Sequence, residues 1–202
     1  MKKLLLLTLL LQCFACSAIY GQYGLQASIL APTGYYQYVL KPAVGAEFLI
    51  KSGDMDDIYS FGGSIGYAKF NPTQDTFRTY ATGGQGFLFP GYEVIHSYQE
   101  ISVGVTNDLR LLPERKICPV IGFDLYFYVI TVSEDDYAET IIQSSSQGDN
   151  YWLLSILPRV GVQYKINESL YLTGGFGRSM SLTGIVQGQV LWKTFFNLIY
   201  CP

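Results

Sequence analysis

The sequence predicts an all-β fold: an eight-stranded antiparallel up-and-down transmembrane β-barrel. Three observations predict it. Charged residues make up 14% of the 202-residue chain and hydrophobic residues 49%. Soluble domains carry roughly 25% charge, so too little Lys and Glu is present to coat a water-facing surface. Apolar residues recur at every second position in eight segments, the period of a β-strand. The seven connections between these segments alternate long and short, as in barrels with tight turns at one end and longer loops at the other.

The chain opens with a leader. Lys2 and Lys3 form a basic start, Leu4 to Leu11 a short apolar run, and Ser17, Ala18 and Gly21 supply small residues. That order is the layout of a secretory signal peptide, and the run is too short to span a membrane as a helix. Cleavage after Ala18 or after Gly21 fits. Gly21 sets the boundary, giving a leader 1–21 and a barrel domain 22–202. A rival reading makes Cys16 a lipoprotein cysteine, because Ala15 precedes it. Cys13 then stands where leucine would be expected.

The strands follow in order. The first, 22–32, points Tyr23, Leu25, Ala27 and Ile29 outward. The second, 42–51, points Val44, Ala46, Phe48 and Ile50 outward. The third, 58–70, carries Phe61, Ile65 and Tyr67 on that face. The fourth, 98–112, carries Ile101, Val103, Val105, Leu109 and Leu111. The fifth, 117–132, has Ile121, Phe123, Leu125, Phe127 and Val129. The sixth, 151–166, has Trp152, Leu154, Ile156, Val160, Val162, Tyr164 and Ile166, with a bulge expected at Pro158 because proline removes a ladder donor. The seventh, 169–179, has Leu170, Leu172 and Phe176. The eighth, 189–200, has Trp192, Phe196, Leu198 and Tyr200. Rings at Tyr23, Tyr67, Trp152, Tyr164, Trp192 and Tyr200 suit the two membrane–water interfaces.

The opposite face mixes charges of both signs with glycine and serine. A narrow, filled lumen requires this: small residues for room, ion pairs for charge compensation. Glu47, Asp108, Arg110, Asp124, Arg159, Lys165 and Lys193 are expected to form the internal polar network, in a structural role. A soluble lipid carrier would have the faces reversed. An eight-stranded barrel is just wide enough to be filled by side chains, so a plugged lumen is expected. The long connections, chiefly 71–97 and 133–150, would lie outside.

Residues 22–202 resemble the small eight-stranded outer-membrane barrels of the OmpA/OmpX kind, particularly the β-barrel families of Bacteroidota. The "YGQ" close of the leader is similar to signal peptides of that group. The family's last strand ends in an aromatic residue. Tyr200 holds that place here, followed by Cys201 and Pro202. The resemblance implies a Gram-negative outer-membrane location.

Candidate chemistry is sparse. His96 is the single histidine and is followed by Ser97. Some outer-membrane barrels are lipid A deacylases with a His-x-Ser pair, and His96-Ser97 departs from that spacing. Adjacent strand residues also point to opposite faces, so His96 reads as a rim or loop residue. The "TGGQG" and "TGGFG" clusters lack the lysine of a phosphate loop. Glu134, Asp135, Asp136, Glu139 and Asp149 read as a solvated acidic loop. Asn167-Glu168-Ser169 reads as a turn. After the leader, Cys118 and Cys201 remain, allowing one disulfide at the rim. No catalytic, cofactor or metal site is expected.

Removing Lys2 and Lys3 from 13 basic residues leaves 11 against 16 acidic, a net −5, which argues against a nucleic-acid partner. The expected role is a non-enzymatic anchor whose external loops contact outer-membrane lipid, lipopolysaccharide or another envelope protein. Alternatives are an accessory barrel of a secretion or gliding machine, a lipid-modifying enzyme, and a soluble exported ligand carrier.

Overall fold

Each alternating segment of the sequence forms a strand in the computed structural model of the chain. The backbone is described for residues 21–34, 36–54, 57–74, 77–82, 88–138, 141–182 and 191–202, and side-chain surroundings for these except 36, 77–93, 95, 134–138 and 141–151. The leader 1–21 lies outside the described residues apart from Gly21, and so do Cys16 and most of "TGGQG". The carboxylates of 134–149 lie outside the described side chains.

The described elements are β1 (Gln22–Pro32), α1 (Tyr36–Val39), β2 (Ala43–Lys51), β3 (Tyr59–Phe70), β4 (Phe77–Thr82) and β5 (Leu88–Arg110). They continue with β6 (Ile117–Ala138), β7 (Ile141–Lys165), β8 (Leu170–Arg178), β9 (Met180–Ser181) and β10 (Leu191–Tyr200). Eight of them form an antiparallel wall in the order β3-β2-β1-β10-β8-β7-β6-β5. β5 then pairs back onto β3, from Tyr59↔Leu109 to Phe70↔Tyr98, and closes the barrel. The first and last strands pair from Tyr23↔Tyr200 upward, so both ends of the barrel domain meet at one rim. The short 52–58, 111–116 and 166–169 turns share that rim.

The pleat sorts the side chains into two environments. On β10, Leu191, Lys193, Phe195, Asn197 and Ile199 are buried, while Trp192, Thr194, Phe196, Leu198 and Tyr200 are exposed. The exposed set is apolar around the whole wall: Leu25 is 67% exposed, Val44 75% and Trp152 60%. Phe123 and Phe196 also face out. A sandwich would have turned these residues onto one another in a dry core. Instead, the buried positions hold the charges. Tyr23, Tyr164 and Tyr200 ring the rim of the chain ends, and Tyr67 and Trp152 sit in one row near the other mouth.

Two expectations are corrected. Segments 71–97 and 133–150 are largely not loops. β5, β6 and β7 run for 23, 22 and 25 residues, against nine to twelve in the other five wall strands. Above the barrel, β4 replaces β3 as the partner of β5, from Phe77↔Glu93 to Thr82↔Leu88. β6 and β7 stay paired to Ala138↔Ile141. A four-stranded sheet therefore stands above the mouth. The apolar alternation lapses there in the sequence, while the backbone ladder continues. The second correction concerns Pro158, which faces outward without a bulge: its neighbours keep one register with β6. Its effect falls on the other side. The β7 ladder skips from Arg159↔Gly177 to Ile156↔Met180, and Ser179 turns instead to β10, its N–H donating to Leu191 O at 2.8 Å.

The 33–42 connection packs over the mouth. Val39 and Leu40 are buried with Leu30, Phe70, Tyr98 and Leu191 in one apolar cluster. Lys41 N donates to Asn71 O and Thr73 N to Val39 O, both at 2.8 Å. Phe70 meets Tyr98 edge-on at 5.4 Å.

Candidate functional site

Below that apolar cap, the lumen is ionic. Asp108 on β5 accepts an ion pair from Lys51 on β2 and a second from Arg159 on β7, whose Nη2 lies 2.7 Å from Oδ1. Arg159 also grips Asp124 on β6 with both arms, Nε to Oδ2 at 2.6 Å and Nη2 to Oδ1 at 3.1 Å. This fork matches the carboxylate plane, a geometry lysine cannot supply. Nearer the cap, Glu47 on β2 pairs with Lys193 on β10. The Tyr126 hydroxyl on β6 donates to Glu47 Oε2 at 3.0 Å. Lys193 also lies over the Tyr126 ring, 4.8 Å from its centre.

These contacts cross the interior. Lys51 and Asp108 sit on strands separated by β3, Arg159 and Asp108 on strands separated by β6, and Glu47 reaches Tyr126 from two strands further round. Room for the long side chains comes from the glycines opposite. A Cβ on Gly122 would stand 2.7 Å from Arg159 Cζ, and one on Gly104 2.5 Å from the Tyr126 ring. The wall can hold these bulky side chains only because those positions lack a Cβ.

The expected residues divide. Glu47, Asp108, Asp124, Arg159 and Lys193 come together in the ion pairs. Arg110 is buried but is directed at the rim: its Nη1 donates to Asp54 O at 2.9 Å and Asp57 O at 3.2 Å, and its Nη2 to Ser60 Oγ at 3.1 Å. It fastens the 52–58 turn, where Gly53 adopts φ 85°. Lys165 is only half-buried and lies over the Tyr171 ring at 5.6 Å. Being one residue from the turn, it belongs to none of the lumen ion pairs just described. Sequence reasoning left out Lys51 and Glu100, both on the polar face. Glu100 is buried, and its Oε2 has no hydrogen-bond partner among the described residues.

Cys118 and Cys201 are unbridged. Cys118 is buried on β6, and Cys201 follows β10 beside Tyr171 and Ile199. β6 and β10 are separated in the wall by β7 and β8, and Cys201 is tied to the 166–169 turn through its N–H to Ser169 O at 2.8 Å. His96 is exposed and occupies a bulge between Ile95↔Glu134 and Ser97↔Ser133, where β5 leaves the barrel. Ser169 N donates to Asn167 Oδ1 at 3.0 Å, so Asn167-Glu168-Ser169 is the expected turn. Among the described residues, no three His, Cys, Asp or Glu side chains gather as a metal site.

The same arrangement of strands occurs in solved structures. Neisserial surface protein A superposes with a TM-score of 0.56 at 10% identity, covering 90% of this chain and 97% of its own. This chain has the fold of a small outer-membrane β-barrel. A major outer-membrane protein of Thermus thermophilus is also similar, at TM-score 0.49 and 12% identity over 89% of this chain and 98% of that one. The N-terminal barrel domain of Pseudomonas aeruginosa OprF gives 0.44 at 11%, over 89% and 99%. No protein-family model and no curated protein matches the sequence.

Proposed function

We propose that this barrel sits in the outer membrane of a Gram-negative envelope and acts, without catalysis, as the anchor of an interaction surface. The observation that carries the reading is the height of β5, β6 and β7. A tilted strand crosses a bilayer in about 9–11 residues, and these three are about twice that. At about 3.3 Å per residue, Leu88–Ile95 alone carries the sheet about 25 Å past the His96 bulge. A sheet so tall and paired to its tip is well suited to present a surface to lipopolysaccharide or to another envelope protein.

In this reading, the lumen is a plug. The ion pairs and the cap of Leu40, Phe70 and Tyr98 close it, and their role is to hold the wall rigid. The chain's outward apolar belt is the lipid-facing surface, and the leader 1–21 would deliver it there.

The test replaces two parts by short turns: β4 together with the top of β5, and the tip of the β6–β7 hairpin. The trimmed protein is expected to insert and keep its heat-modifiable gel mobility while losing whatever co-purifies with the full-length protein in mild detergent. A solitary full-length monomer would count against the anchor reading. Altered lipid A acylation on His96→Ala would favour a lipid-modifying enzyme instead. A detergent-free soluble pool would favour a soluble carrier.

A further inference from the structure

Given the membrane setting proposed above, on which the inference rests, we infer that the rim of the chain ends holds a groove for one phospholipid of the adjoining leaflet, whose head carries a phosphate and a primary amine. Turns at a water-facing rim favour glycine, proline, asparagine, aspartate and serine. The 52–58 and 111–116 turns depart from this: Ile58 is 62% exposed and Leu112 51%. Both lie just outside their strands, β3 and β5, so the strand alternation does not account for them. Exposed apolar patches edged by polar residues mark contacts with a membrane or a protein.

Between the two turns lies an open groove of about 930 Å³, within the roughly 300–1,000 Å³ of small-molecule sites. Backbone bonds hold its walls: Arg110 N donates to Ile58 O at 2.7 Å and Leu111 N to Pro119 O at 3.0 Å. Tyr59 and Leu111 join Ile58 and Leu112 in the apolar lining, and both are exposed on the outer face, so the groove runs into the apolar belt. The Tyr59 hydroxyl donates to Asn107 Oδ1 at 2.6 Å, which fixes its ring. The charges of the lining sit on the turns. Asp57 is tied to its own turn, its Oδ2 accepting from Asp54 N at 2.9 Å. Glu114 and Arg115 line the groove as well and are exposed. Among the described residues, neither is in an ion pair. A guanidinium can grip a phosphate with two N–H groups, and a carboxylate suits an ammonium. One head group with both charges therefore satisfies Arg115 and Glu114 together, while its tails continue along the belt.

The test is native mass spectrometry of the full chain released from nanodiscs that hold equal amounts of phosphatidylethanolamine and phosphatidylglycerol with matched tails. One phosphatidylethanolamine is expected to stay on each barrel, preferred about fivefold over phosphatidylglycerol, the factor that one exposed charge pair is worth at the top of its range. Glu114→Gln is expected to bring the two lipids close to parity, and Arg115→Gln to release both. Arg178→Gln, at the other mouth, is expected to change neither. All three side chains are exposed, so the variants keep the fold. Equal retention of the two lipids by the natural barrel, or retention unmoved by Arg115→Gln, would overturn the groove and leave the membrane setting standing. A chain that stays out of the nanodiscs would overturn both. A photoactivatable side chain in place of Leu112 that captures a protein or a second copy in the native envelope, and no lipid, would overturn the lipid as occupant.

Discussion

At the residue scale, Arg159 ties the lumen together, since it engages two carboxylates at once. Replacing it with alanine leaves Asp108 and Asp124 buried with only Lys51 between them. Removing one partner of a buried pair costs about 3–5 kcal/mol, so Arg159→Ala is expected to lower the stability of the barrel refolded in lipid by that amount, read from its urea midpoint. Gly122→Val places a side chain where the guanidinium lies, and is expected to cost about 1–3 kcal/mol in the same measurement, as overpacking does. Cys118, 1% exposed, is expected to resist maleimide in the folded protein and to react once unfolded. The sequence made the inward position of these residues legible through period two. It could not pair them. Lys51 and Asp108, or Glu47 and Lys193, are far apart in sequence and meet only because the closed wall sets next-but-one strands at one height. Lys51 and Glu100 read as part of the same polar face, and period two does not say which of its charges find a partner across the lumen.

At the scale of the elements, the wall strands were legible almost residue by residue, because one face meets an apolar surrounding and the other does not. A charge on the outer face tests this. Leu125→Arg, at mid-belt, is expected to cost about 2–4 kcal/mol, whereas arginine on the outer face near the rim, at Ile117, should cost about 0–1. Tryptophan-monitored unfolding in lipid vesicles would read both, and equal costs would mean that the belt does not lie in hydrocarbon. The tops of β5, β6 and β7 were illegible because "SEDDYA" and "IIQSSSQ" carry no alternation, and only the hydrogen-bond ladder makes them strands. Pro158 misled in a related way. Its missing donor was charged to the strand that contains it, but the register there holds, and the neighbouring ladder of β8 and β9 takes the interruption.

At the scale of the whole molecule, the proposed plug has two parts, the lumen ion pairs and the cap over them. Removing one contact leaves the other barrier in place. Planar bilayers containing the protein are therefore expected to show no steady conductance, and Leu40→Gly alone is expected to leave them silent. Steady channel openings in the unaltered protein would end the view of the interior as a plug. The architecture was legible from connection lengths. The 33–42 segment was long enough to be placed outside, yet nothing in "TGYYQYVLK" announced that Val39 and Leu40 fold back inward. That depends on Phe70 and Tyr98, which reach the same spot from distant parts of the chain.

The seam where the first strand meets the last has a kinetic consequence. Tyr23 and Tyr200 stand at opposite ends of the barrel domain, so the loop they close is nearly the longest this chain permits, and contacts so remote in sequence form slowly. Until they form, β1 and β10 each present a raw edge that hydrocarbon will not accept. In the membrane setting proposed above, the polypeptide is therefore expected to be finished before it is sealed, with closure of this seam a late event.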